Sequence, residues 1–225
     1  VVDQQLEGLL PPGSPVQLGI YASPMEVMVS LTGPAGAEGT AALERSFDEA
    51  KSRLGDIVYG QEADTMESVV GELLTTQRMT LAAAESCTGG LIGHRLTQVP
   101  GSSSYVDRVV VCYSNRAKVD LLGVPSELID RHGAVSAEVA AAMARGIRER
   151  SGVSVGLSVT GIAGPGGATD TKPVGLVYVG LDGGAGQAMT KEFRFHGGDR
   201  NVIKQRSSQA ALDLLRRWLT KNRLT

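Results

Sequence analysis

Three short, glycine-bearing polar segments could carry chemistry in this sequence of 225 residues, because each lies next to a predicted strand. They are 86–90 (SCTGG), 100–104 (PGSSS) and 161–167 (GIAGPGG). Open α/β sheets commonly bind their ligands at such strand ends. The first segment leads into a predicted helix, whose free N–H groups and positive dipole end suit an anion. The third is longer than a turn needs, and its glycines let backbone approach a ligand closely. A plain tight turn and a flexible connector are the respective alternatives.

The residue types alone leave the nucleophile open. The sequence contains many serines but no GxSxG elbow, and it has neither a Walker loop nor a GxGxxG fingerprint. Cys87 lies at a predicted helix start, which could activate its thiol, although a buried and unreactive cysteine is the alternative. Cys87 and Cys112 cannot by themselves form a four-ligand zinc site, and the three histidines are scattered. We therefore expect no metal and no cofactor.

The elements that must position these segments follow from hydrophobic periodicity and capping residues. Strands are predicted over 81–84, 107–113, 153–160, 174–181 and 189–195, the last two as an antiparallel hairpin. The β-branched run 107–113 (DRVVVCY) is predicted to be the central strand. Helices are predicted to begin at Asp64, with Glu67 as its capping-box partner, and over 91–97, 114–122, 126–132, 136–150 and from 199. The alternation predicts an α/β fold, a three-layer domain with a central mixed sheet.

A smaller α+β domain is predicted before the large one, with the boundary near residue 61. Its strand-like segments lie within 16–31, followed by a helix over 37–54 and a short strand over 57–59. Residues 1–60 carry a net charge of −5, and the remainder carries +3. The domains are thus 1–61 and 62–225, and the mildly basic larger one suits a phosphorylated small molecule.

We expect no targeting signal in these residues. No apolar run approaches the roughly 20 residues that a bilayer crossing needs. The first residues show neither a basic n-region nor an apolar h-region, so we expect a cytoplasmic protein with reduced thiols and no membrane partner. The polar beginning without methionine favours interpretation as a piece of a longer protein.

Seven motifs strengthen the interpretation of the larger domain. They are AESCTGG (84–90), PGSS (100–103), YSNRAK (113–118), HGAVS (132–136), SVTGIAGP (158–165), KPVG (172–175) and GDR (198–200). Their types and order resemble those of the CinA family, the competence/damage-inducible proteins, over roughly residues 67–219. The resemblance implies that 62–225 is the C-terminal domain of this family, a nicotinamide mononucleotide deamidase. Such an enzyme is a Ser/Lys amidohydrolase of pyridine nucleotide recycling, which releases ammonia and nicotinate mononucleotide.

The family's site residues carry over to matching positions. The resemblance implies Ser103 as the nucleophile and Lys118 as the base, with Ser102 as the alternative nucleophile. The other implied catalytic positions are Tyr113, Thr160 and Arg200. The expected substrate-binding positions are Ser86, Thr88, Gly89, Gly90, Asn115, Gly161 and Gly164.

These residues form a coherent chemical hypothesis. Lysine acts as a base only when neutral, so burial or a nearby cation must lower the pKa of Lys118. Tyr113 could orient Lys118, and Arg200 could hold the phosphate or a carboxylate. Backbone N–H groups near Ser103 or in the 161–167 loop are candidates for an oxyanion hole. The hypothesis requires Ser103 to approach Lys118 although a strand separates them.

Other expectations concern partners. Residues 1–61 resemble, more loosely, the small KH-type domain that precedes the deamidase in full-length members. We do not expect the molybdopterin-binding-like domain of those proteins within these 225 residues. The −5 charge and the lack of a basic GxxG loop make nucleic acid an unlikely partner. We expect a small-molecule nucleotide substrate and a homodimer. The rival functions are a non-catalytic accessory role in competence or DNA damage and an amidohydrolase for another amide.

Overall fold

The computed structural model describes residues 1–186 and 188–222, which form two compact units, Val1–Gln61 and Glu62–Thr225. Among the helices in these ranges, none combines the length and the apolar character that a bilayer crossing requires. Each unit has a sheet of its own, two-stranded in the first and five-stranded in the second.

The first unit packs one long helix beside a β-hairpin. Its elements are α1 (Val2–Gln5), β1 (Gln17–Ala22), β2 (Val27–Thr32) and α2 (Ala37–Leu54). The strands pair antiparallel, and Leu6, Leu9, Ala50 and Leu54 form a small buried cluster. The helix predicted over 37–54 is confirmed, but the strand predicted over 57–59 is wrong. Gly55–Ile57 is a 3₁₀ turn, because β propensity makes a strand only where a neighbouring strand offers ladder hydrogen bonds.

The second unit is built on a mixed five-stranded sheet. Its strands are β3 (Leu81–Glu85), β4 (Val106–Val111), β5 (Val155–Gly161), β6 (Leu176–Asp182) and β7 (Ala188–Arg194). Their order is β4-β3-β5-β6-β7, in which β3 runs parallel to β4 and β5, while β6 is antiparallel to β5 and β7. The predicted α/β class with a mixed sheet and the predicted 174–195 hairpin are confirmed.

The predicted position of β4 is wrong, because this strand lies at the edge of the sheet. Its residues are intermediate or exposed, whereas every residue of β3 is buried. β-branched residues favour a strand wherever one face is covered, and their number does not report how many neighbours the strand has. The alanine-rich β3 is an interior strand, with β4 on one side and β5 on the other.

Helices cover both faces of this sheet. They are α3 (Met66–Thr76), α4 (Leu91–Thr97), α5 (Asn115–Leu122), α6 (Ser126–His132), α7 (Ala137–Ser151) and α8 (Arg200–Lys221). α7 crosses β5 and β6 so closely that a Cβ on Gly156 would lie 2.1 Å from the Ala144 carbonyl oxygen. Glycine is required there because no side chain fits. α3, α4 and α8 pack against one another, and α8 also packs against β5 and β6.

The beginning of α3 differs from its prediction by one residue. Thr65, not Asp64, is the N-cap, and its hydroxyl accepts a 3.1 Å hydrogen bond from the Ser68 N–H. Ser68 Oγ in turn accepts the Thr65 N–H at 2.9 Å, which completes a capping box. Glu67, predicted as the capping partner, instead forms an ion pair with Arg95 of α4. The Glu67 side chain therefore links α3 to α4 and does not cap α3.

Candidate active site

The carboxyl ends of the three parallel strands bring several predicted residues to one edge of the sheet. Ser86 directly follows β3, and its N–H donates a 3.0 Å hydrogen bond to the Val159 carbonyl of β5. The segment after β4 leads through Tyr113 into α5, which carries Lys118. Because β3, β4 and β5 run in the same direction, the segments that follow them lie at the same edge of the sheet.

Lys118 is the most unusual side chain at this edge, because it is almost fully buried, with 1% of its surface exposed. Ser114 caps α5 by accepting the Ala117 N–H at 3.0 Å, which fixes the helix that carries the lysine. Lys118 Nζ lies 3.0 Å from Ser86 Oγ, 3.0 Å from the Cys112 carbonyl oxygen and 3.4 Å from the Tyr113 carbonyl oxygen. Buried lysines are rare unless paired, and none of these three partners is a carboxylate.

Burial lowers the pKa of Lys118, since desolvation penalises the ammonium form. The thiols of Cys112 and Cys87 act in the opposite direction, and burial is the larger cause. Three neutral partners cannot replace the hydration of an ammonium as an anion would. The surroundings of Nζ therefore shift the equilibrium toward the neutral amine, which is the form that can accept a proton.

Ser103 lies at the other end of β4. It is exposed in the 3₁₀ turn Ser102–Ser104, directly before the strand, whereas Lys118 comes after the strand. The six residues of β4 place the two ends of the strand roughly 16 Å apart, at about 3.3 Å per residue, with Ser103 at one end and the segment leading to Lys118 at the other. Within the described chain, the structure thus brings Ser86 and not Ser103 to Lys118. Ser102 is equally remote, because it lies in the same turn.

Glu85 is a site residue that sequence reasoning missed. Its side chain is fully buried, and it accepts hydrogen bonds from the N–H groups of Gly90 at 2.9 Å, Ile92 at 3.2 Å and Gly93 at 2.8 Å. The carboxylate thereby fixes the turn that leads from Ser86 into α4. The available signal was a single acid at the end of the apolar run LAAAE, because buried acids need dedicated donors.

The turn after Ser86 offers unused backbone donors. In residues 1–186 and 188–222, the N–H groups of Cys87 and Thr88 donate no hydrogen bond to another residue. The hydroxyl of Thr88 is also buried without a hydrogen-bond partner there. Burial raises the pKa of the Cys87 thiol to about 12, so the cysteine is protonated near neutral pH. At this turn it is the Ser86 hydroxyl that lies within hydrogen-bond distance of Lys118 Nζ.

Arg200 joins two of the predicted site segments. It is the first residue of α8, which Asp199 caps by accepting the Val202 N–H at 2.9 Å. The guanidinium donates to the Gly164 carbonyl oxygen at 2.6 Å and to the Tyr113 hydroxyl at 2.8 Å. The structure thus brings Tyr113 and Arg200 together beside the segment that carries Lys118.

The remaining predicted positions serve different local purposes. Thr160 is buried at the end of β5 and donates from its hydroxyl to the Ala134 carbonyl oxygen at 2.8 Å. A Cβ on Gly161 would lie 2.7 Å from Val177 Cγ2, so its glycine is explained by packing. Gly164 adopts φ +78°, which favours glycine at the point that Arg200 contacts. Asn115 is the exposed first residue of α5.

Positive φ also explains the glycines of the turn after β3, which adopt φ +64° at Gly89 and φ +98° at Gly90. Gly90 is the N-cap of α4 and donates its N–H to Glu85. Over the described parts of the chain, no group of three or more histidine, cysteine, aspartate or glutamate side chains is arranged to hold a metal ion.

Comparisons with known proteins agree with the sequence motifs. Residues 63–219 match the CinA C-terminal domain. A CinA-like protein of Desulfotalea psychrophila is 47% identical over 215 residues, which cover 92% of this chain and 50% of that protein. For a CinA-like protein of Geotalea uraniireducens, the identity is 43% over 220 residues, which cover 97% of this chain and 52% of that protein. The chain spans about half the length of the curated relatives it matches.

A solved structure shares the fold of the second unit. The crystal structure of the competence/damage inducible protein CihA from Agrobacterium tumefaciens matches with a TM-score of 0.65 and 38% sequence identity. The match covers 72% of this chain and 99% of the other. On the matched domain and the identity to its relatives, the chain belongs to the CinA family.

Proposed function

We propose that the unit Glu62–Thr225 is an amidohydrolase in which Ser86 is the nucleophile and Lys118 is its general base. The observation that carries this proposal is the distance of 3.0 Å between Ser86 Oγ and the buried Lys118 Nζ. A serine hydroxyl needs a base within hydrogen-bond reach to attack an amide. Ser86 replaces the expected Ser103 in this role, because only Ser86 contacts the lysine in the described chain.

The partners of Lys118 suit a neutral amine. An uncharged amine has two N–H donors and one lone pair, whereas an ammonium has three donors and no acceptor. The carbonyls of Cys112 and Tyr113 can accept the two N–H groups. In the neutral form the lone pair is left for the hydroxyl of Ser86, which then donates its proton toward Nζ. This arrangement orients the base before any substrate binds.

The proposed reaction proceeds through an acyl-enzyme. Ser86 Oγ forms a bond to the carboxamide carbon while its proton moves to Lys118 Nζ. The C–N bond then breaks, Lys118 returns this proton to the leaving nitrogen, and ammonia departs. Water attacks the resulting ester with Lys118 as base, and the proton passes to Ser86 Oγ as the acid is released. The free N–H groups of Cys87 and Thr88 are our candidates for the oxyanion hole.

The substrate proposed is nicotinamide mononucleotide, hydrolysed to nicotinate mononucleotide and ammonia in pyridine nucleotide recycling. The resemblance to the CinA family supports this choice of substrate. A nucleotide also suits the mildly basic composition of the larger unit and the cation Arg200 at the same sheet edge. Hydrolysis of another carboxamide by the same serine and lysine is the alternative that an assay must address.

The deciding experiment measures ammonia release from nicotinamide mononucleotide, nicotinamide and simple amides by the whole chain. We expect turnover of the nucleotide and a loss of at least about 10³-fold in kcat for Ser86→Ala, as for other hydrolase nucleophiles. Ser103→Ala is the matched control, because it removes the same hydroxyl from an exposed turn, and it should retain activity. Loss of turnover in Ser103→Ala together with full activity in Ser86→Ala would overturn the nucleophile assignment.

For the unit Val1–Gln61 we propose a KH-like module without a nucleic-acid partner. The antiparallel hairpin and the helix α2 are consistent with a small α+β domain of this kind. The net charge of −5 over residues 1–60 disfavours phosphate contacts, which need lysine and arginine. A gel shift with oligonucleotides at low salt tests this, and salt-dependent binding would contradict it.

A further inference from the structure

Lys204 is a cation at the proposed active site to which the reaction above gives no role. It lies on α8 one helical turn after Arg200 and is half-buried. Its Nζ lies 3.6 Å from the position that a Cβ on Gly89 would take, so the ammonium borders the turn after β3. Within residues 1–186 and 188–222, no carboxylate lies within ion-pair distance of Lys204.

The acidic groups nearby are already engaged. Asp199 accepts the Val202 N–H as the cap of α8, and Glu85 accepts three N–H groups of the turn and α4. Arg200 contributes a second cation on the same helix, and the positive dipole end of α8 adds to it. The turn itself holds the buried, unpartnered hydroxyl of Thr88. The surroundings of Lys204 therefore offer positive charge and hydrogen bonds without a compensating anion.

The turn sets a useful separation between this cation and the nucleophile. The Gly89 N–H donates to the Ser86 carbonyl oxygen at 3.2 Å, so the two Cα atoms lie within about 7 Å, as in a β-turn. A nucleotide whose carboxamide lies at Ser86 would thus have the Lys204 ammonium near the far side of its ribose. The absence of a side chain on Gly89 leaves the space beside the ammonium open.

We propose that Lys204 binds the phosphate monoester of the substrate and makes the enzyme select nucleotides over nucleosides, an inference that rests on the proposed function. Lysine and arginine bind phosphate through charge-assisted hydrogen bonds, which are stronger than neutral ones. The phosphate supplies the anion that the surroundings of Lys204 lack. Lys204 is a specificity-determining residue, and it takes no part in bond making or proton transfer.

The test compares nicotinamide mononucleotide with nicotinamide riboside, which lacks the phosphate, by ammonia release. We expect Lys204→Met to raise KM for the nucleotide about 10-fold or more, with kcat changing by less than about threefold. The ratio of kcat/KM between nucleotide and riboside should fall by the same factor, and Lys204→Arg should restore most of it. Lys191→Met, which removes an exposed lysine of β7, is the matched control. An unchanged ratio in Lys204→Met would overturn the proposal.

A binding measurement separates failure of this inference from failure of the proposed function. Ribose 5-phosphate is titrated into the wild-type chain and the Lys204→Met variant and followed by NMR chemical shifts. Weaker binding to the variant, by about 10-fold, supports the phosphate site even if nicotinamide mononucleotide is not hydrolysed. Equal affinities of the two proteins, or no binding to either, would refute it.

Discussion

Arg200 Nη2 donates a hydrogen bond of 2.8 Å to the hydroxyl of Tyr113, and Nη1 of the same guanidinium reaches the Gly164 carbonyl oxygen at 2.6 Å. The first contact joins α8 to the segment after β4, and the second joins α8 to the loop after β5. Because the Tyr113 carbonyl also lies 3.4 Å from Lys118 Nζ, Tyr113 connects Arg200 to the lysine that we propose as the base. The position of the Arg200 guanidinium relative to Lys118 therefore depends on both hydrogen bonds.

Replacing Arg200 by lysine should impair the reaction while leaving the fold intact. A lysine has a single nitrogen and cannot reach two partners in the fixed fork of a guanidinium. We expect kcat/KM for Arg200→Lys to fall about 10- to 100-fold, since small displacements at a reaction centre are costly. The melting temperature should change by less than about 3 °C, because the side chain is exposed.

A double-mutant cycle tells whether Arg200 acts through Tyr113. If it does, Tyr113→Phe and Arg200→Lys should be non-additive, with the double variant little worse than the more damaged single variant. Strict additivity in the free energy of activation would mean that the 2.8 Å contact does not contribute to catalysis.

The activity should rise with pH because Lys118 must be neutral to act as a base. Burial lowers its pKa, so the ascending limb of the kcat/KM profile should lie below the value of about 10.4 for a free lysine. Below that pKa the ammonium form predominates, and the rate should fall about tenfold per pH unit. Lys118→Arg should be inactive at every pH, since a guanidinium stays charged. A profile that is flat from mildly acidic to strongly alkaline pH would contradict the role of Lys118.

Cys87 should be dispensable for turnover although it adjoins the proposed nucleophile. Its pKa of about 12 leaves a negligible thiolate fraction near neutral pH. We expect Cys87→Ala to keep kcat within about threefold of wild type in the ammonia assay, because no thiolate takes part. Iodoacetamide should label the native chain slowly, as read by mass spectrometry. Rapid labelling at Cys87, together with loss of turnover in Cys87→Ala, would contradict this prediction.

Local elements of the fold could be predicted because their signals lie within a few residues. The spacing of apolar residues and the caps gave α2 and α4 at their observed bounds, and Asp199 was correctly expected to begin α8. The order of the strands could not be predicted in the same way. Whether β4 lies inside or at the edge depends on which segments pair across the sheet, and no short pattern in its own residues contains this information.

The pairing of strands also explains why the expected serine, Ser103, differs from the serine that the structure brings to Lys118. The family resemblance implied that Lys118, Tyr113, Thr160 and Arg200 lie together. Thr160 is near the end of β5, Tyr113 and Lys118 come after β4, and Arg200 is the first residue of α8. The choice of the serine needed the neighbour relation between β3 and β4, which places the residue after β3 beside the helix after β4. The family resemblance implied Ser103, but β4 lies between that residue and the segment that leads to Lys118.

Glu85 provides a further test, because its buried carboxylate shapes the turn that presents Ser86. Three N–H groups donate to it, from Gly90, Ile92 and Gly93. Glu85→Gln keeps the shape but turns an amide donor toward some of these donors and removes the charge, so we expect a loss of about 2–4 kcal/mol in the free energy of unfolding. The loss is measured by chemical denaturation, with the exposed Glu72→Gln on α3 as a control that should stay within about 0.5 kcal/mol of wild type.

Ammonia release by the folded fraction of Glu85→Gln should fall as well, since the turn no longer holds Ser86 against Lys118. A Glu85→Gln protein with unchanged stability and activity would mean that the turn keeps its conformation without the carboxylate, and the N–H donors of the proposed oxyanion hole would then need another explanation for their placement.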